Sequence, residues 1–202
     1  MKSLPALRAP LPRERGERLK QDMSAPTTTT TDTHPTGAAY ARLALTIALA
    51  IYAIPLMRRP EAGSLLDGVD LAIHETGHLV FGPFGEVIGF AGGTLFQLIV
   101  PATFVWYFAR RRDRHAATVP LWWIAQNCWN ISVYVKDARA QELPLVGGGE
   151  HDWAFLLGHF GVLAHDQGIG RAVHALGTCL YLVAIMGGVM FSLRATPAIH
   201  GE

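Results

Sequence analysis

Charge is what this chain has least of. Only 16% of its 202 residues are Asp, Glu, Lys or Arg, against about 25% in an ordinary soluble domain. The deficit is local, because long stretches carry no charge at all, and that argues against a soluble helical bundle. The formal net charge is +1, which leaves no global field to draw nucleic acid. Cysteine is almost absent. Cys128 and Cys179 are far apart, lie inside apolar runs and have no CxxC spacing. Two buried free thiols are expected, and they say nothing about redox compartment. No alternating strand pattern occurs, and no apolar core closely follows the N-terminal cations as it would in a signal peptide.

What is present is hydrophobe, at 50% of the chain. Four runs approach the roughly 20 apolar residues that a spanning helix needs: Tyr40–Met57, Gly85–Ala109, Val119–Val135 and Ala172–Leu193. The third is shorter and flanked by polar residues. A fifth, short segment surrounds His74. The expected fold is an all-α, polytopic integral membrane helical bundle of about four to six membrane helices, occupying residues 40–196. The expected localisation is the lipid bilayer of a bacterial inner (plasma) membrane. Residues 1–39, rich in proline and containing "PTTTTTDTHPTG", read as a disordered tail. Met23 begins "MSAPTTTTTD" and is a candidate translation start. Lys and Arg near helix ends set orientation. If Arg58, Arg59, Arg110, Arg111, Arg112, Arg114 and Arg194 face the cytoplasm, the His74 segment must cross or re-enter. Arg42, Lys136, Arg139 and Arg171 then lie opposite.

The segment "LAIHETGHLVF" places His74, Glu75 and His78 among leucines and valines. Each is costly to bury without a partner. Residues four apart share a helix face, so the two imidazoles can reach one metal ion. Glu75 lies about 100° around the helix from His74, placed to act on a water beside that ion. This is the HExxH arrangement of two zinc ligands and a general base, and an apolar setting makes it more specific.

A zinc site needs a third protein ligand and an open position. Asn127, Asn130, Tyr134 and Asp137 recur at steps of three, four and three, a polar stripe on an otherwise apolar helix that should face the protein interior. Asp137 is its only acid and a candidate ligand. A helix cap, or a pair with Arg139, is its alternative role. His151 and Asp152, in "GGGEHDW", are rival ligands or partners that orient a ligand histidine. Gln97 and the asparagines are candidates for holding substrate backbone, with packing as the plainer role for Gln97. Gly82, Gly85, Gly89, Gly92 and Gly93 would let helices approach closely or let the backbone bend. His159, His165 and His174 read as packing or interfacial histidines, and His115 and His200 as solvated.

"HETGH" in a membrane segment, a glycine-bearing membrane helix after it and a later intramembrane aspartate together resemble the site-2 protease family of intramembrane zinc metallopeptidases. The resemblance covers roughly residues 66–140, with HETGH as its strong element, and no PDZ-like module is visible. It implies a membrane-embedded helical core and zinc held by His74, His78 and Asp137. It also implies Glu75 as the base and a membrane-anchored protein as substrate. Two alternatives stand beside it. One is a di-iron membrane hydroxylase or desaturase, which HETGH satisfies only as an HxxxH box, with no HxxHH box elsewhere. The other is a non-catalytic membrane protein that keeps the metal site.

Overall fold

The computed structural model describes residues 37–145 and 149–193. Nearly all of the tail, including Met23, and the last residues with Arg194 and His200 lie outside them. Six α-helices follow one another: α1 Gly37–Arg58, α2 Asp67–Phe81, α3 Glu86–Arg110, α4 Arg114–Lys136, α5 Asp152–His159 and α6 Asp166–Ser192. Short 3-10 turns at Pro60–Ala62, Gly82–Phe84 and Leu163–His165 punctuate them. Among the described residues there is no strand. The fold is all-α, and its first helix starts three residues before Tyr40.

Three helical stretches are long and apolar enough to cross a membrane: Gly37–Arg58, Glu86–Arg110 and Leu163–Ser192. Their outward faces carry large apolar side chains, among them Ile47 and Ile51 on α1, Leu95 and Trp106 on α3, and Leu182 and Met186 on α6. Such faces are stable in hydrocarbon and costly in water. Cys179 belongs to this exposed surface of α6, whereas Cys128 is buried. Only one of the two thiols expected inside is inside, because an apolar run on a membrane helix turns half its residues to lipid.

The third apolar run of the sequence becomes α4, which is long enough to span but less apolar. It lies at the centre and packs on α1, α3 and α6. Neighbours on every side permit buried polar residues, and Gln126, Asn127, Ser132 and His115 are all enclosed. His115, expected in solvent, lies 3.2 Å from the Thr46 hydroxyl and 3.2 Å from the Arg42 carbonyl of α1. Trp122 donates its indole N–H to the Leu49 carbonyl, and Tyr181 its hydroxyl to that of Ala50. His174 reaches the Met57 carbonyl at 2.8 Å, a packing role as expected.

These contacts set the helix directions. α1 and α4 run parallel, with α3 and α6 antiparallel to them. The turn between α3 and α4 is tight, with Arg112 at a φ of 59°, and Asp113 caps α4 by accepting the Ala116 N–H at 3.0 Å. Arg110–Arg114 therefore lie at the Arg42 end of α1, and Arg58 lies about 24 Å away along that helix. Among the described residues, Arg58 and Arg110–Arg114, which the sequence grouped on one face, are at opposite ends of the bundle. The short α2 starts part-way along α4, where Trp123 donates its indole N–H to Asp70 at 2.9 Å. It runs only to the end from which α3 returns.

Candidate metal centre

The helical register of α2 puts His74 and His78 on one face, with ring centroids 4.9 Å apart. Glycine brings α3 against them. Gly77 of α2 and Gly92 of α3 touch through their backbones, and a Cβ at Gly92 would lie 2.8 Å from the Gly77 carbonyl oxygen. A Cβ at Gly93 would lie 2.5 Å from His74 Nε2. The imidazole thus occupies the space a side chain at residue 93 would need, a close approach that small residues permit between membrane helices. Gly85, at a φ of 109°, lets the chain reverse from α2 into α3.

Both imidazoles are oriented from behind. His74 Nδ1 lies 3.3 Å from Gln97 Oε1, and His78 Nδ1 lies 2.8 Å from the Gly89 carbonyl oxygen. Both partners only accept, so each Nδ1 carries a hydrogen, and Nε2 is the nitrogen each ring has left to offer a metal ion. Those two Nε2 atoms converge on a single oxygen, Asp152 Oδ2, at 2.9 and 3.2 Å. Asp152 is the first residue of α5 and is buried. His74, His78 and Asp152 can hold a metal ion, their ligand atoms all lying within 4.8 Å of one another.

The donor set suits a divalent transition metal ion, zinc and iron among them. Two imidazole nitrogens and a carboxylate oxygen all offer lone pairs, and with neutral rings no hydrogen lies between them. Acceptors facing one another away from water repel unless a cation or protons enter. Tetrahedral ligation at about 2.0–2.2 Å separates ligand atoms by about 3.3 Å, close to the two nitrogen–oxygen distances of 2.9 and 3.2 Å. Three protein ligands leave one position open, as hydrolytic zinc sites require.

Asp137 is elsewhere. α4 ends at Lys136, so Asp137 is its C-cap and lies past the register that aligned it with Asn127 and Tyr134. Its carboxylate accepts the backbone N–H of Glu142 at 3.0 Å and of Leu143 at 3.1 Å. One oxygen also lies 3.3 Å from His151 Nε2. The structure brings Asp152, rather than Asp137, to the two imidazoles. His151 stands behind that site: its Nδ1 accepts the Ala154 N–H and caps α5, and its ring stacks on Tyr134 with centroids 4.1 Å apart. Arg139 pairs with Asp166 at 2.7 Å, tying the end of α4 to the start of α6.

A cavity of about 810 Å³ opens over the cluster, and Glu75, Thr94, Gln97, Asn130 and Tyr134 line it with the three candidate ligands. Apolar wall comes from Leu71, Phe90, Ile131, Val133 and the loop residues Leu143–Leu145. Comparison with models of known protein families, with curated proteins and with solved structures finds no match. Of the residues proposed to hold substrate, Gln97 and Asn130 reach the wall but are bonded to each other, Gln97 Nε2 donating to Asn130 Oδ1 at 3.1 Å. Asn127 is fully buried, its amide donating to the Trp123 carbonyl, and it does not line the cavity. The polar stripe does face protein. What sequence reasoning missed is that Tyr134 joins the cluster, its hydroxyl accepting the Asp152 N–H at 3.3 Å, and that Asp70 is buried one turn before His74. Asp70 was legible as an acid in step with His74 and His78.

Proposed function

We propose that this chain is a zinc-dependent endopeptidase acting within the membrane, a divergent relative of the site-2 proteases. The observation that carries the reading is the convergence of His74, His78 and Asp152, with Glu75 beside them, in one cavity of an apolar helical bundle. When bound, zinc supplies Lewis acidity that acidifies a water and polarises a peptide carbonyl. The chain's own residues do the rest. Gln97 and the Gly89 carbonyl fix the imidazole tautomers. Asp152 contributes the one negative charge of the ligand set. Glu75 takes a proton from the attacking water and returns it to the leaving amine. The apolar wall accepts the side chains of an unwound segment, and the cavity admits the water that a bilayer core lacks.

The same reading extends to architecture. α4 crosses with α1, α3 and α6, giving four membrane helices, while α2 and α5 are too short to cross. The host is a bacterial inner membrane, and the substrate is a membrane-anchored protein cut near a helix-weakening residue. The test is metal analysis of the purified protein followed by incubation with single-span substrates. One zinc per chain is expected, with slow cleavage that phenanthroline stops and that Glu75→Gln lowers by about 10²–10⁴-fold. Equal product from Glu75→Gln would indicate a contaminant. Zinc-bearing protein that cuts nothing across a broad panel would favour a non-catalytic metal protein, and two irons an oxygenase.

A further inference from the structure

We infer that Tyr134 is a further catalytic residue, whose phenol hydroxyl donates a hydrogen bond to the substrate carbonyl oxygen as charge develops on it. For its reaction the inference rests on the hydrolase reading above; for the role of the residue it rests on the contacts of Tyr134 itself. The side chain is half-buried in the cavity wall. Its ring packs against the His151 ring, with centroids 4.1 Å apart, and against His74 in an edge contact at 5.9 Å. Its oxygen accepts the backbone N–H of Asp152. The phenol is therefore fixed against two members of the candidate metal cluster. A phenol oxygen that accepts one bond still has its own proton to give. Among the described residues no protein group takes that proton, so it is left for the occupant of the cavity.

A comparison of the donors on the wall leads to the same residue. A carbonyl oxygen gaining charge needs a donor aimed at it, and no Lys or Arg lines this cavity. The Nδ1–H groups of His74 and His78 are spent on Gln97 and Gly89. The Gln97 amide donates to Asn130 Oδ1. The Asn130 amide nitrogen keeps its own hydrogens and also lines the cavity, but Asn130 makes no hydrogen bond or ring contact to His74, His78 or Asp152. Ionised Glu75 and Asp152 only accept. The Thr94 hydroxyl has no partner, but its oxygen is enclosed. Of the donors left, Tyr134 is the one held against the cluster. As water adds to the carbonyl carbon, its proton passes to Glu75 and the C=O π pair moves onto oxygen, where the bond from Tyr134 strengthens. When the C–N bond breaks, that pair re-forms the carbonyl and the amine leaves with the proton from Glu75. Tyr134 keeps its own proton throughout.

The experiment compares zinc-loaded wild type and Tyr134→Phe in three measurements: zinc affinity by chelator competition, affinity for acetohydroxamate, and cleavage of membrane-anchored substrates. Tyr134→Phe is expected to keep zinc affinity within about 3-fold and to bind acetohydroxamate about 10-fold more weakly, with kcat about 10²-fold lower and KM nearly unchanged. A fall in zinc affinity instead would make Tyr134 a positioning residue for Asp152 and overturn the inference. So would unchanged hydroxamate affinity and unchanged kcat. If wild type cuts nothing yet the hydroxamate difference stands, the endopeptidase reading fails and the donor role survives. If wild type cuts and Tyr134→Phe cuts equally well, the donor role fails and the endopeptidase reading survives. A chain that binds no zinc overturns both.

Discussion

Asp137 and Asp152 have the same side chain in different surroundings. Asp137 spends its oxygens on two backbone N–H groups and His151. Asp152 turns one oxygen to two imidazole nitrogens. Asp152→Asn should lower zinc affinity at least about 100-fold, by removing a charged ligand. Asp137→Asn should cost about 10-fold, as for a group that holds a ligand's support. Chelator competition checks the ranking, and the reverse order would return the ligand to the end of α4. Gly93→Ala makes a sharper test, since its Cβ would meet the His74 ring. Zinc binding should be lost while far-UV circular dichroism keeps its helical signal. At this scale HETGH was legible, because spacing on one helix is a local property. The choice of acid was not: Asp152 stood only as a rival to Asp137, because His74 and Asp152 are 78 residues apart and only packing decides which acid is delivered to the imidazoles. The stripe argument treated residue 137 as helical, one residue past where α4 stops.

The elements show where glycine patterns can be read and where they cannot. Gly92 and Gly93 serve the close approach expected of them. A second seam went unread on α6, where Gly170, Gly177 and Ala184 recur every seven residues and are all buried. A Cβ at Gly177 would lie 2.8 Å from the Ala125 carbonyl oxygen and 2.8 Å from Cys128 Cβ of α4. Seven residues are close to two helical turns, so the small positions form one continuous stripe. Gly177→Val should destabilise the protein by about 1–3 kcal/mol through overpacking, read as a lower unfolding midpoint in detergent. Zinc affinity should change little, because the seam is on the far side of α4 from the cluster. α4 was hard to read for a related reason. A helix enclosed on every side can afford polar residues, and hydropathy then understates its depth.

At the scale of the whole molecule, the four crossings proposed above would put the loop after α1 and the turn after α3 on opposite faces of the membrane. In a background without Cys128 and Cys179, Glu61→Cys and Arg112→Cys should react with an impermeant maleimide from opposite sides. Labelling of both from one side would mean that α2 completes a crossing. Counting arginines by sequence could not reach this arrangement, because it assumed how far the short helix travels, and packing against α3 and α4 limits that. The metal cluster has a further consequence. It joins α2 to α5, two short helices far apart in sequence, and adds to the apolar packing of Phe155 on Phe90 and of Leu157 on α4. On the proposed reading the ion is a cross-link whose strength is set from outside. Each tenfold rise in free zinc above the dissociation constant tightens it by about 1.4 kcal/mol. A cell short of zinc would loosen the wall of the reaction chamber as well as empty its centre, so the same scarcity would remove both the reagent and its enclosure.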